Sequence, residues 1–250
     1  MAELLAGRNA VAEALRAHRR VQRIFVEAGV RDSEPAIREA LRAAETVGIP
    51  IVRVPRTRLD SIHPRHQGIA AELDEFAYAE VADVLQRAKA AGSNALVLAL
   101  DQVQDPQNVG SLLRTALAVG VTAVVIPSHR AAGISPAVVR ASAGAVEHLA
   151  VCQAPNLARA LRQLKEVGLW IVGLDAHGPS VYDEVDLSGP VAVVVGAEGS
   201  GLRRLVREEC DFVVRLPMAE PVESLNVAVA GSILLYHLFR RRATSAGSRA

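Results

Sequence analysis

The fold class of this chain is decided by one stretch, Pro190-Val191-Ala192-Val193-Val194-Val195-Gly196-Ala197-Glu198-Gly199-Ser200-Gly201. Residues 191–195 are all apolar, which is typical of a strand buried on both faces of a parallel sheet. Three glycines in the next six residues indicate that the backbone turns tightly or lies close to a ligand. In open parallel sheets, ligands bind beyond the carboxyl ends of the strands. The stretch therefore predicts an α/β fold with a binding loop after a buried strand.

The same alternation of strands and helices extends over residues 94–242. Apolar runs predict further strands at residues 95–100, 122–126, 169–174 and 212–216. Helical patterns lie between the strands at residues 109–119, 157–167, 202–209 and 225–240, with a further helix opened by Ser135-Pro136. Strands separated by helices predict a mostly parallel sheet covered on both faces.

The N-terminal part carries a smaller α/β pattern. Strands are predicted at residues 21–26, 51–54 and 68–73, and helices at residues 10–17 and 34–47. The stretch from Asp74 to Ser93 changes character and carries one predicted helix, at about residues 81–91. We therefore expect a small domain at 1–75, a linker at 76–93, a larger domain at 94–242 and a polar tail at 243–250.

The composition excludes several classes of protein. The chain has no run of 18 or more apolar residues, so no membrane span is expected, and its N-terminus lacks the apolar core of a secretion signal. The two cysteines, Cys152 and Cys210, are far apart and form no metal-binding spacing. We expect reduced thiols, no metal site and a cytoplasmic location.

Basic residues cluster in two places, although the net charge is only +1. Residues 53–66 hold four arginines and two histidines against one acid, Asp60, and Arg240-Arg241-Arg242 follows the last apolar segment. Either run could be a solvated surface. The first is denser and contains turn residues, which favours contact with phosphate groups there.

The first of three unusual loops runs from Asp101 to Ala116 and follows a predicted strand. Asn108 lies where the next helix is predicted to start, and Arg114 lies two turns further on. Residues 107, 110, 111 and 114 share one face of that helix. Asn108 could be only a helix cap and Arg114 only a solvated charge. The mostly apolar surroundings of Arg114 argue against the second alternative.

The second loop is Gly196–Gly201. It is not a P-loop, because the Lys-Ser/Thr ending is missing. Its glycine spacing does not match a dinucleotide fingerprint, and Glu198 would repel a pyrophosphate. Taken alone, the loop could be a tight turn between a strand and a helix.

The third loop runs from Leu216 to Ala228 and leads into the long apolar helix. Ser224 is a good N-cap for a helix that begins nearby. Asn226 in the first turn is unexpected, because asparagine has poor helix propensity and a buried amide needs partners. Capping explains Ser224 but leaves Asn226 as a candidate functional residue.

Together the three loops resemble the motifs of the SpoU (TrmH) family of RNA ribose methyltransferases, within the SPOUT class. The matching residues are Asp105-Pro106-x-Asn108-x-Gly110 with Arg114 and Ala116; Gly196-Ala197-Glu198-Gly199-x-Gly201; and Pro217-Met218 with Ser224-Leu225-Asn226-Val227. Residues 1–75 resemble the substrate-binding domain of bacterial members that methylate a guanosine in large-subunit (23S) ribosomal RNA, through Gly7-x-x-Ala10-Val11 and His66-Gln67-Gly68-Ile69. The acids and proline of Glu220-Pro221-Val222-Glu223 depart from the family pattern.

The resemblance implies a fold, a cofactor and partners. It implies an S-adenosylmethionine-dependent catalytic domain at 94–242 whose C-terminal part forms a deep trefoil knot. It also implies a homodimer whose site is completed at the interface, and an N-terminal domain like ribosomal protein L30e that grips RNA. The implied cofactor residues are Gly196, Ala197, Leu216, Met218 and Leu225. The RNA-binding candidates are Arg8, Arg53, Arg56, Arg58, Arg65 and His66.

Arg114 matches the arginine that is essential in the family. Because a guanidinium is effectively always protonated, we expect it to stabilise the developing alkoxide and a neighbouring phosphate rather than to act as a base. The residues expected to orient Arg114 and the target ribose are Asn108, Glu198, Ser224 and Asn226.

Three alternatives remain open. The chain could be a non-catalytic RNA-binding relative, although it retains every motif residue. It could methylate transfer RNA or an adenosine, which the catalytic motifs do not discriminate. It could also be an ordinary nucleotide-binding α/β enzyme, against which the missing fingerprint argues.

Overall fold

The computed structural model describes residues 2–29 and 34–247. In chain order the helices and strands are β1 (Glu3–Ala6), α1 (Arg8–Arg16), β2 (Val21–Glu27), α2 (Pro35–Thr46), β3 (Ile51–Val54), α3 (Arg56–Ile62), β4 (Ile69–Leu73), α4 (Val81–Ala91), β5 (Leu96–Leu100), α5 (Pro106–Ala118), β6 (Ala123–Pro127), α6 (Pro136–Ala141), β7 (Val151–Ala154), α7 (Leu157–Glu166), β8 (Trp170–Leu174), β9 (Ser180–Val181), β10 (Val191–Val195), α8 (Arg204–Glu208), β11 (Phe212–Arg215) and α9 (Val227–Gly247). They fall into two units, Met1–Ala77 with Ile134–His148, and Tyr78–Gly133 with Leu149–Ala250.

The first unit is built on a four-stranded sheet in the order β1-β4-β2-β3. β2 and β3 are parallel, and the other neighbours are antiparallel. The predicted strands and helices of this unit are confirmed, whereas β1 and α3 were not predicted. Pro55 precedes α3, and Leu59 is its one fully buried residue. A seven-residue helix with one buried residue gives too little periodicity to stand out within a basic run.

Residues 134–148 correct the expected domain division. The sequence pattern assigns them to the larger domain, but they pack in the first unit. A Cβ on Gly144 would lie 2.4 Å from the Glu13 Cβ, so the backbone of this segment lies directly against α1. His148 and Glu147 make ion pairs with Glu13 and Arg19 at 2.8 Å. These contacts are long-range in sequence, which is why local patterns could not reveal them.

The second unit contains a seven-stranded sheet in the order β7-β6-β5-β10-β8-β11-β9. All of its strand pairs are parallel, which confirms the predicted parallel α/β fold. The apolar run before the glycine-rich loop forms the fully buried β10 in the middle of this sheet. The expected linker at 76–93 is not a linker in the structure, because Val84 and Ala88 of α4 are buried in the core of this unit.

Two strands and some boundaries differ from the sequence prediction. β7 and β9 were missed, and α5 begins at Pro106 rather than at residue 109. α9 begins at Val227 and continues to Gly247, so the first part of the expected polar tail is helical, while residues 248–250 lie outside the described residues. No helix within the described ranges is both long and apolar enough to cross a membrane.

Candidate active site

A cavity of about 720 Å³ opens at the carboxyl edge of the parallel sheet. Because the strands are parallel, the loops that follow β8, β10 and β11 meet at this edge. The structure brings all five predicted cofactor residues to its wall, namely Gly196, Ala197, Leu216, Met218 and Leu225. Glu198 and Ser224 line the same cavity.

The loop Gly196–Gly201 forms a closed backbone turn at the mouth of this cavity. The Ala197 N–H donates to the Gly201 carbonyl at 3.1 Å, and the Gly201 N–H donates to the Ala197 carbonyl at 3.0 Å. A Cβ on Gly196 would lie 2.3 Å from the Gly201 carbonyl carbon. Gly201 has a φ of +62°, which favours glycine. The tight-turn interpretation and the ligand interpretation of this loop are therefore compatible.

Two ion pairs that were not predicted from the sequence hold residues 203–207, which follow the Gly196–Gly201 turn. Asp101 is fully buried and accepts from the Arg203 N–H at 2.8 Å and from its Nε at 2.6 Å. Asp175 accepts from Arg207 at 2.7 Å. The sequence did contain a signal for these ion pairs, because each aspartate directly follows an apolar strand. A fully buried acid is rare unless it is paired, so a basic partner could have been expected.

Asn108, Glu198 and Asn226 form a hydrogen-bonded set, which we call the polar cluster. The Asn226 amide donates to the Asn108 Oδ1 at 2.9 Å, and the Asn108 amide donates to a Glu198 carboxylate oxygen at 3.4 Å. Three residues from three separate loops are therefore joined at one place. Glu198 belongs both to this cluster and to the cavity wall.

The structure excludes the cap interpretation of Asn108. The N-cap of α5 is Asp105, whose carboxylate accepts from the Gln107 N–H at 2.9 Å. Asn108 is the third residue of the helix and only 8% exposed. Its amide is turned inward to the polar cluster.

The expected roles of Ser224 and Asn226 are partly reversed. α9 begins three residues after Ser224, and the Asn226 Oδ1 accepts from the Ala228 and Val229 N–H groups at 2.9 and 3.3 Å. Asn226 is therefore the N-cap, and Ser224 is not. The prediction that capping leaves Asn226 unexplained was wrong, because its oxygen caps α9 while its amide holds Asn108.

The structure does not bring Arg114 to the polar cluster of its own chain. Six residues separate it from Asn108 on α5, which turns the two side chains about 120° apart around the helix axis. Arg114 is exposed, and across the described residues it has no hydrogen-bond or ion-pair partner. The exposed residues of α5 are 107, 111, 114, 117 and 118, whereas Gly110 is buried.

Four of the predicted RNA-binding arginines lie on one surface segment of the first unit. Arg53, Arg56, Arg58 and Arg65 are all exposed. Arg56 lies 3.9 Å from Asp60, and the Arg58 guanidinium stands 6.0 Å from the centre of the Phe25 ring. Arg8 makes a 2.6 Å ion pair with Glu34. The density of positive charge predicted for residues 53–66 is thus presented at a surface.

His66 does not fit an RNA-binding role. It is 3% exposed, its Nδ1 accepts from the Gly68 N–H at 2.9 Å, and its Nε2 lies 3.2 Å from Asp60. Both ring nitrogens are thereby occupied in holding the turn before β4. Sequence alone could not distinguish this buried histidine from the exposed arginines around it.

Both cysteines are free. Burial raises the pKa of the Cys152 thiol to about 11 and that of Cys210 to about 12, so both are neutral thiols near pH 7. Among the residues that the structure describes, no group of three or more histidines, cysteines or acids could hold a metal ion.

Two family profiles match the chain. The SpoU rRNA Methylase family matches residues 95–236, and the RNA 2'-O ribose methyltransferase substrate binding family matches residues 4–79. The first covers most of the second unit, including the loops of the polar cluster.

Curated relatives align with nearly the whole chain. A putative TrmH family tRNA/rRNA methyltransferase from Bacillus subtilis, YacO, is 40% identical and is covered over 94% of both chains. An uncharacterized tRNA/rRNA methyltransferase from Mycolicibacterium smegmatis is 44% identical over 96% of this chain and 77% of its own length.

Solved structures share the fold. The SpoU methyltransferase AviRb from Streptomyces viridochromogenes in complex with AdoMet has a TM-score of 0.81 at 25% identity, covering 96% of this chain and 90% of that one. An RNA 2'-O ribose methyltransferase has a TM-score of 0.77 at 28% identity, covering 97% and 89%. With its motifs gathered at one edge of the sheet, this chain belongs to the SpoU (TrmH) family of RNA methyltransferases.

Proposed function

We propose that this protein transfers a methyl group from S-adenosylmethionine to a ribose 2′-hydroxyl of RNA, with a guanosine of 23S ribosomal RNA as the target. The observation that carries the proposal is the position of Glu198. It lines the 720 Å³ cavity and accepts from Asn108 of the polar cluster. A site for a small cofactor and a polar site for a reacting group therefore adjoin.

The cavity residues suit S-adenosylmethionine. Its wall combines apolar side chains, such as Leu216 and Leu225, with the exposed backbone of the Gly196–Gly201 turn. Glycine at 196 allows this turn to close, because a Cβ there would collide with the Gly201 backbone. When bound, S-adenosylmethionine supplies an electrophilic methyl group. Gly196, Leu216 and Leu225, with the backbone at Ala197 and Met218, would hold it.

The polar cluster and Arg114 would act on the ribose. Asn108 and Asn226 are fixed by each other and by the cap of α9, so their amides form a rigid polar surface beside the cavity. Ser224, on the cavity wall, would contact the same nucleotide. The guanidinium of Arg114 would stabilise negative charge that develops on the 2′-oxygen and on the adjacent phosphate.

A second copy of the chain would bring Arg114 to the site. α5 and α9 pack together, with Thr115 and Ser232 hydroxyls 2.8 Å apart. Beside Arg114 they expose Leu117, Val229, Ile233, Tyr236 and Phe239, which we call the α5–α9 face. The α9 residues recur every three or four positions and form one apolar stripe. Such a stripe marks an interaction surface, and a homodimer would place one copy's Arg114 beside its partner's cluster.

Three finer features belong to this proposal. A deep trefoil knot in the C-terminal part is one of them, and the insertion of β10 between the earlier strands β5 and β8 suits it. The mixed sheet of the first unit and its exposed arginines suit an L30e-like domain that grips RNA. The two free thiols suit a cytoplasmic protein.

The substrate is tested by mapping ribose methylation in RNA from a strain that lacks this gene. We expect one 2′-O-methylguanosine to be missing from 23S ribosomal RNA and to be restored by the purified protein with S-adenosylmethionine. Loss of a methyl group from transfer RNA or from an adenosine would redirect the target and keep the chemistry. Loss of no ribose methyl group would exclude the proposed function and favour a non-catalytic relative.

A further inference from the structure

A second cavity, of about 400 Å³, opens at the same carboxyl edge of the second unit and takes no part in the site described above. We call it the basic cavity. Its lining residues come from the loops after β5, β6 and β7 and from the start of α8, namely Gln102, Pro127, His129, Arg130, Pro155, Asn156, Leu157, Ala158, Arg203, Arg204, Leu205 and Val206.

The lining of the basic cavity is cationic and contains no acid. Arg203 is neutralised by the buried Asp101, whereas Arg204 makes only an exposed ion pair with Glu208, four residues on. Within the part of the chain that the structure describes, His129 and the Arg130 guanidinium have no hydrogen-bond or ion-pair partner, and both residues are exposed. The exposed guanidinium groups of Arg130 and Arg204, unpaired or weakly paired, are available to a phosphate group.

The loop that carries Arg130 has a defined shape. Arg130 has a φ of +57° and Gln102 a φ of +63°, so two of the cavity's residues adopt the left-handed conformation that non-glycine residues rarely use. The Ala132 N–H donates to the Val103 carbonyl at 3.0 Å, which ties this loop to the one after β5. The position of Arg130 is therefore set by the backbone.

Apolar groups complete the basic cavity. Leu205 is 56% exposed, although it is a large apolar residue. The His129 ring offers a flat surface of the kind on which RNA-binding proteins stack an unpaired base. A site for a single-stranded nucleotide needs two components, a cationic group that binds the phosphate and an apolar surface that contacts the base. The basic cavity has both.

The position of the basic cavity relates it to methyl transfer. It lies beyond β6 and β7, whereas the cofactor cavity lies beyond β8, β10 and β11. β6 is two strands away from β10, a distance of about 10 Å. An RNA strand that places a ribose at the polar cluster and runs along this edge towards β7 reaches the basic cavity within a few nucleotides.

We infer that the basic cavity binds a nucleotide of the substrate RNA close to the methylated one, with its phosphate on Arg130 and Arg204 and its base against His129 and Leu205. This inference rests on the proposed function. It assigns part of the RNA grip to the catalytic unit itself, in addition to the arginines of the first unit.

The test measures binding of a fluorescein-labelled single-stranded RNA of mixed sequence to the full chain, without S-adenosylmethionine, between about 50 and 200 mM salt. For the double variant Arg130→Ala/Arg204→Ala we expect affinity to fall about tenfold. The slope of log affinity against log salt should become shallower by roughly 0.7 for each phosphate that the variant no longer neutralises. For Leu205→Ala we expect affinity to fall about fivefold with an unchanged slope, because a base contact releases no counterions.

The matched control is Arg87→Ala, an exposed arginine on α4 of the same unit. If the double variant behaves like this control in both affinity and slope, the inference is overturned. The binding readout needs no methyl transfer, so failure of the inference and failure of the proposed function are distinguishable.

Discussion

Helices α5 and α9 carry two regions that differ in whether their polar groups find partners within one chain. In the polar cluster, the Asn226 and Asn108 amides both have partners, and the Asn226 oxygen also caps α9. On the α5–α9 face, Arg114 has no partner within the described chain and lies among exposed apolar residues. Under the proposed function, one chain therefore builds the half of the site that would orient the ribose and exposes the half that would supply positive charge.

The largest loss of methyl-transfer activity should come from substitution of Arg114 on the exposed α5–α9 face. Arg114→Ala should lower the rate of methyl transfer by about 10²–10³-fold, because it removes a charge aimed at the developing oxyanion. Affinity for S-adenosylmethionine should not change, since Arg114 does not line the cavity. Transfer of labelled methyl to RNA and calorimetric binding measure the two quantities, with Arg87→Ala as the control.

Two results would contradict the role proposed for Arg114. Full activity of Arg114→Ala would exclude the assignment of this half of the site. Near-full activity of Arg114→Lys would show that charge alone suffices and that the planar, bidentate guanidinium is not needed.

The α5–α9 face should hold a dimer together through its apolar stripe. Ile233→Asp/Tyr236→Asp places two carboxylates in this surface, so the variant should be monomeric by light scattering. Its methyl-transfer activity should fall as the fraction of monomer rises. Val47→Asp changes an exposed apolar residue of the first unit, 64% exposed, and should leave the mass unchanged. A wild-type protein that is already monomeric would contradict the proposed dimer.

The turn beside the polar cluster should be the next most sensitive position. A Cβ at 196 collides with backbone at 2.3 Å, so Gly196→Ala must open the turn, and S-adenosylmethionine binding should weaken at least about tenfold. Gly189→Ala is the control, because a Cβ there meets nothing within 4 Å. If both variants bind S-adenosylmethionine with equal affinity, the Gly196–Gly201 turn does not contribute to the cofactor site.

The smallest effect should distinguish the two roles of Asn226. Asn226→Ala removes the cap of α9 and should lower the free energy of unfolding by about 1 kcal/mol. Asn226→Ser keeps a capping oxygen but is too short to hold Asn108, so stability should stay and activity should fall. Denaturant titration and methyl-transfer rates measure the two effects. If Asn226→Ser is fully active, Asn226 is a structural cap only.

Much of this architecture was predictable from the sequence, because β5, β8 and β10 are continuous apolar runs and the three motif loops follow strands. The sequence-based predictions failed where contacts between residues far apart in the chain determine the role of a side chain. Asn226 rather than Ser224 caps α9, since the chain that enters the helix is held by Asn108, which lies 118 residues away. His66 is buried by its own turn although it lies in a basic run.

Other parts of the site leave almost no local signal. Asp101 and Arg203 are 102 residues apart, and neither belongs to the residues that carry the family resemblance. The basic cavity collects residues from three loops and the start of α8, and only the strand order brings them together. Sequence patterns identify strands and helices, but neighbours across a sheet depend on the topology.

If two chains share each site, as we propose, then mixing two inactive variants should restore activity. One carries Arg114→Ala, and the other carries Asn108→Ala/Asn226→Ser. After exchange of subunits, we expect methyl transfer to return to about a quarter of the wild-type rate, because half of the dimers are mixed and one of their two sites is intact. No recovery, with mixed dimers demonstrated by mass spectrometry, would contradict the shared site and place Arg114 in the site of its own chain.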